Sequence, residues 1–196
     1  MKKIAVILSG CGRDDGSEIH ESVLTLLALD KAGVRYQCLA PNINQQRVMN
    51  HYTNEASPEI RNVLVESARI ARGEIKPLEE ANPDDYDAAI LPGGFGTALN
   101  LSNFATQGAE CEVIPSVKRF IQGLAKAGKP VGFICIAPVM VSNIYGPGVK
   151  HTIGCDAATA DLINAMGGLH QNCFVEDCVV DSQHKVVSTP AYMLAK

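Results

Sequence analysis

No apolar run in this 196-residue sequence approaches the length of a membrane span, and no cluster of lysines and arginines appears in it. The first absence excludes a transmembrane segment. The second, with a net charge of −4, excludes a nucleic-acid surface. The seven cysteines contain no C-x-x-C pair and the five histidines no ligand spacing, so no metal site is expected. Repeats, low-complexity tracts and linkers are also missing, which leaves a single domain over residues 1–196. The apolar run at residues 4–8 is too short for an export-signal core. An odd, unpatterned set of cysteines without such a signal reads as reduced thiols, and the expected compartment is the cytoplasm.

What is present is an alternation of short apolar runs and helical patterns, which specifies a doubly wound, mostly parallel α/β sheet with helices on both faces. Strands are expected at residues 4–8, 34–39, 87–91 and 131–134. The first helix, 18–32, takes Ser17 as its cap, Gly33 as its stop, and Ile19, Val23, Leu26 and Leu27 as its inward stripe. Residues 42–56 are polar and read as a small hairpin or excursion. Ser57-Pro58-Glu59 carries a cap, a first-turn proline and an acid, which open a helix ending near Gly73 with Ile60, Val63, Leu64 and Ile70 inward. Another helix covers 114–127. Residues 151–153 read as a short strand, Asp156 caps a helix to Ala165, and 174–180 with 185–188 form a hairpin. Residues 189–196 begin a helix that the sequence barely continues, which leaves open that a final C-terminal helix is lacking.

In such sheets ligands sit at the carboxyl ends of the strands, and three informative loops fall there. The Gly10-x-Gly12 loop lacks the third glycine of a dinucleotide site, with Asp15 in its place, so no nucleotide cofactor is expected. Pro92-Gly93-Gly94-Phe95-Gly96 has more glycine than an ordinary turn needs and can present bare N–H groups to a ligand. The polar stretch after it, to Cys111, is long for a structureless connection and reads as a functional loop. At Cys135 an apolar strand meets an apolar helical pattern, with Pro138 in the first turn. This is the layout of a nucleophile elbow, in which helix N–H groups lower the thiol pKa. A buried structural cysteine fits the same residues.

Taken together, Cys11-Gly12 with residues 15–21, residues 91–96, Asn100-Leu101-Ser102 and residues 132–138 resemble the ElbB-type isoprenoid biosynthesis glyoxalases. These lie in the PfpI branch of the class I glutamine amidotransferase-like superfamily. The resemblance covers nearly the whole chain. It implies a flavodoxin-like sheet, a homodimer, Cys135 as nucleophile with Glu21 as its partner, and the N–H groups of Gly94 and Ile136 as an oxyanion hole. Glu18, Cys11, Gly93 and His151 are the further residues expected around the pocket. Amidotransferase relatives place a histidine beside the cysteine; here Ile136 follows it and cannot act as a base. The substrate expected is therefore a small 1,2-dicarbonyl such as glyoxal or methylglyoxal, which needs no leaving group to be protonated and no cofactor. A similarity of architecture to thiol-based stress proteins gives a second reading, a redox-sensing cysteine.

Overall fold

The computed structural model describes residues 1–193. Seven strands form the central sheet, in the order β10-β11-β7-β6-β1-β2-β5. They are β1 (Lys3–Ile7), β2 (Arg35–Ala40), β5 (Ile75–Pro77), β6 (Ala88–Leu91), β7 (Val131–Ile134), β10 (Val179–Asp181) and β11 (Val186–Thr189). All neighbours pair in parallel except β10 with β11. The polar excursion is an antiparallel hairpin, β3 (Val48–Asn50) with β4 (Glu55–Ser57). A second small pair joins β8 (Lys150–His151) to β9 (Leu169–His170). The main helices are α1 (Ile19–Lys31), α2 (Val63–Ile70), α5 (Pro115–Lys126) and α7 (Ala157–Ala165), with short α3 (Phe95–Leu99), α4 (Phe104–Gln107) and α6 (Val141–Tyr145). No helix among the described residues is long and apolar enough to cross a membrane.

Register and pleat sort the core onto two faces. Ala5, Ala89, Val131 and Val186 stand in line on one face, and all are fully buried. Against them pack Val117, Phe120, Ile121 and Leu124 of α5, the inward stripe read from the sequence. Val6, Ile90, Gly132 and Val187 stand in line on the other. Val6 is covered by Leu26 and Leu29 of α1, but Ile90, Gly132 and Val187 are only half-buried.

Three local expectations are corrected. Ser17 does not cap α1; Glu18 does, its Oε2 accepting the Glu21 N–H at 2.7 Å, while Ser17 Oγ is turned inward to the Ser9 N–H at 2.8 Å. Three of the four residues expected in the α1 stripe face outward, and only Leu26 packs inward. Glu21, Ser22 and Thr25 face the protein, and Ile19, Val23, Leu24 and Leu27 are 44–59% exposed. Residues 21, 22 and 25 share one helical face, so aiming Glu21 at the sheet edge turns Ile19, Val23, Leu24 and Leu27 outward while Leu26 and Leu29 stay against Val6. The helix expected from Ser57 starts at Val63 under an Asn62 cap, because Ser57 is taken by β4; Ile60 is consequently exposed. Beyond Met193 the anticipated last helix lies outside the described residues.

Candidate active site

The site forms where three chain segments meet at the carboxyl edge of the sheet. The first is the loop between β1 and α1. Asn100, 2% exposed, ties it down: Nδ2 donates to the carbonyls of Ser9 and Asp15, each at 2.9 Å, and Oδ1 accepts the Gln46 N–H. Asp15, which stood in place of a glycine, accepts the Met49 N–H at 2.7 Å and so anchors the β3–β4 hairpin. The loop delivers Glu18 and Glu21 on the first turn of α1.

The second segment is Gly93-Gly94. The Gly93 carbonyl accepts the Glu18 N–H at 2.9 Å, and the Gly93 N–H donates to Glu21 Oε2 at 2.8 Å. No side chain fits at Gly93, since a Cβ there would overlap the Cβ of Cys135 and lie 2.7 Å from Glu21 Oε2. Gly94 sits at φ +99°, a backbone open to glycine.

The third segment is the elbow. Cys135 leaves β7 at φ 60°, left-handed for a non-glycine residue, with its N–H held by the Thr189 carbonyl at 2.9 Å. Behind it come a 3-10 turn, Ala137–Met140, and the five residues of α6. The thiol of Cys135 stands beside the Glu21 carboxylate, and the N–H groups of Gly94 and Ile136 are close enough to act on its Sγ. Glu21 Oε1 also takes the Tyr192 N–H at 3.3 Å. The structure thus brings together Cys135, Glu21, Gly94 and Ile136, with Gly93 and Glu18 beside them.

The expected lowering of the thiol pKa does not occur. Burial, then the Glu21 charge and hydrogen bond, push the Cys135 thiol up to about 12, against the two N–H groups that pull it down. The helix behind the elbow is too short and too late to supply a strong dipole. Burial likewise raises Glu21 above the ordinary carboxylate range, with Glu18 adding to it, despite three hydrogen bonds to the carboxylate. The pair therefore keeps a proton between its members at neutral pH.

Two expected pocket residues lie elsewhere. Cys11 sits against Glu66 and Arg69 on the α2 side, and does not line the cleft over Cys135. His151 is fully buried, Nδ1 bonded to the Val149 carbonyl at 3.0 Å and Nε2 without a partner among the described residues. Burial lowers its pKa to about 4, so it is neutral in the fold. As pH falls, the unfolded chain takes up the His151 proton first, near its ordinary value of about 6.5. Stability should therefore drop from about pH 6.5 and stop dropping near 4, by about 3 kcal/mol in all. Urea unfolding from pH 7 to 4.5 should show this slope in the wild type and a flatter one in His151→Met; equal slopes would refute it.

The cleft itself holds about 840 Å³ and is lined by Cys135, Ile136, Gly94 and Glu18 together with residues the sequence did not reveal. These include His20, whose Nδ1 lies 3.1 Å from Glu18 Oε1, and His51, whose Nε2 accepts the Asp14 N–H at 3.2 Å. His20 stands between Glu18 and Glu21 in the sequence, whereas His51 arrives on the hairpin, which no spacing connects to the elbow. Phe95, Phe104 and Tyr192 complete the wall.

A strained cysteine at a strand-to-helix turn of a mostly parallel sheet, under two converging N–H groups, defines a class I glutamine amidotransferase-like protein of the α/β type. The chain belongs to the DJ-1/PfpI family, whose model matches residues 2–194. It is 44% identical over 201 residues to human glutamine amidotransferase-like class 1 domain-containing protein 3, mitochondrial, covering 97% of this chain and 75% of that protein. It is 32% identical to the mitochondrial ES1 protein of Danio rerio, covering 97% and 76% of the two. Among solved structures, an isoprenoid biosynthesis protein with an amidotransferase-like domain from Ehrlichia chaffeensis superimposes with a TM-score of 0.91 at 40% identity, covering 99% of this chain and 90% of that one. The cytoplasmic expectation is corrected by these relatives, since the human and zebrafish proteins are described as mitochondrial.

Proposed function

We propose that this protein is a cofactor-independent glyoxalase, a lyase that converts glyoxal or methylglyoxal and water to glycolate or lactate through Cys135. One observation carries the reading: a buried thiol stands beside a buried carboxylate, with the backbone N–H groups of Gly94 and Ile136 close enough to act on it. As Sγ bonds to the aldehyde carbon, the thiol proton passes to Glu21, and the oxyanion turns to the Gly94 and Ile136 N–H groups. Each such donor is worth about 3 kcal/mol in a transition state. The protonated oxyanion is a hemithioacetal. Glu21 then moves a proton from the former aldehyde carbon to its neighbour by way of an enediol, which oxidises the first carbon and reduces the second. Water hydrolyses the resulting thioester, releasing the 2-hydroxy acid and restoring the thiol. Electrons move only within the substrate, so the cycle closes without an external oxidant.

The redox-sensing alternative is weaker, because a sensor needs a thiolate at neutral pH. Cys135 is 8% exposed and its pKa is held near 12. An amidotransferase needs an acid for its leaving amine, and His151 is walled off in the core. A homodimer belongs to the same reading, supported by the outward apolar face of α1. The test is glycolate or lactate formation without glutathione. Wild type should turn over both dicarbonyls, and Cys135→Ala should lose all turnover above the uncatalysed rate. An inert wild type, freshly reduced, would end the reading for these substrates.

A further inference from the structure

A two- or three-carbon dicarbonyl fills little of a cleft of about 840 Å³, a size within the roughly 300–1,000 Å³ that takes much larger ligands. The character of the unfilled part is legible. Phe95 follows Gly94, whose N–H is close enough to act on Sγ, so its position beside the reacting thiol is fixed by the backbone. It is 49% exposed, an aromatic residue left open to water at the site. Ala98 lies three residues on along α3, on the same face, and carries only a methyl. From α4 come the buried Phe104 and the exposed Ala105, again small. Ala98 is only 1% exposed and forms the floor, so Phe95, Phe104 and Ala105 give this part of the cleft its apolar lining.

The rim excludes one class of substituent. Arg13 is held by both carboxylate oxygens of Asp14, at 2.8 and 3.0 Å. His51 Nε2 lies 3.9 Å from Asp14 and 3.8 Å from Asp15, and His20 is paired with Glu18. Among the described residues lining the cleft, every basic side chain therefore already has a carboxylate neighbour. An anionic substituent would have to compete with those carboxylates, and would meet Glu18, itself 8% exposed.

Resting on the glyoxalase reading above, we propose that the site is built for neutral α-oxoaldehydes bearing an apolar substituent of aromatic size, seated against Phe95 and Ala105. The chemistry is unchanged. Sγ adds to the aldehyde carbon, the C–H proton moves to the adjacent carbon, and water releases the aryl 2-hydroxy acid, mandelate from phenylglyoxal.

The experiment compares initial rates, without glutathione, for methylglyoxal, phenylglyoxal and 4-carboxyphenylglyoxal. Discrimination in an apolar pocket runs to about tenfold or more. The kcat/KM for phenylglyoxal should exceed that for methylglyoxal by about tenfold, and the carboxylated analogue should lose that advantage. Phe95→Ala and Ala105→Phe, both at exposed positions, should each collapse the phenylglyoxal-to-methylglyoxal ratio. Turnover of methylglyoxal with phenylglyoxal no better, or a ratio unmoved in both variants, would overturn this inference and leave the glyoxalase reading standing. Failure to turn over any of the three would overturn both.

Discussion

Replacing Gly93 with alanine should abolish dicarbonyl turnover and destabilise the protein by about 3 kcal/mol. The added Cβ would overlap the Cβ of Cys135 and lie 2.7 Å from Glu21 Oε2 and 2.9 Å from the Ile134 carbonyl. None of these can yield cheaply. Ile134 is fixed by its ladder to β11, Cys135 by its N–H bond to Thr189, and the Glu21 carboxylate by the very Gly93 N–H that would have to move. Backing the 93 peptide away breaks that bond and the one from its carbonyl to Glu18 N–H, so the cap of α1 shifts as well. Thermal unfolding and turnover of Gly93→Ala, beside wild type, check this. Gly33→Ala is the control: among the described residues nothing lies within 4 Å of its Cβ, and only the positive φ of 65° is penalised, by about 1 kcal/mol. Equal melting of Gly93→Ala and wild type would mean that the three segments are not packed as described.

Glu21→Gln should separate reactivity from catalysis. Its charge and its hydrogen bond both raise the Cys135 pKa, and both are lost or weakened with the amide. Burial remains, so the thiol pKa should fall from about 12 yet stay above the ordinary value. Each unit of fall increases the thiolate fraction roughly tenfold below the pKa. Iodoacetamide labelling of Cys135 at pH 8 should therefore quicken by about tenfold. Turnover should move the other way, by about a hundredfold or more, because glutamine can neither accept the thiol proton nor carry one between carbons. Slower labelling in Glu21→Gln would refute the shared proton. Undiminished turnover would refute the role of Glu21 while leaving the geometry intact.

The strands at residues 4–8, 88–91 and 131–134 were readable because each is a short run without a charged or polar side chain, whereas Arg35-Tyr36-Gln37 interrupts the strand at 34–39, where Arg35 and Tyr36 are exposed. The elbow was readable for a related reason: Phe133-Ile134-Cys135-Ile136-Ala137-Pro138 packs a strand end, a turn and a first-turn proline into six residues. The charge state of Cys135 was not, since burial is a property of what surrounds the thiol, and Glu21 arrives from more than a hundred residues away. The rotation of α1 was misread because Ile19, Val23 and Leu27 point outward; its inward face carries Glu21, Ser22 and Thr25, with Leu26 and Leu29 packed beside them. Ser57-Pro58-Glu59 had good helix-opening chemistry, but strand pairing with Val48 claimed Ser57 first. His51 was invisible for want of any local signal. Its place depends on Asp15 holding the hairpin against the loop after β1.

The left-handed backbone at Cys135 sets stability against reactivity at a single residue. An L-residue there costs about 1–2 kcal/mol that glycine would not. A chain shaped only for durability would carry glycine at 135, and would have no thiol to offer. The strain is what lifts Sγ off the sheet edge to within reach of Gly94 and Ile136, so part of this protein's folding energy is permanently held in the aim of one sulfur atom.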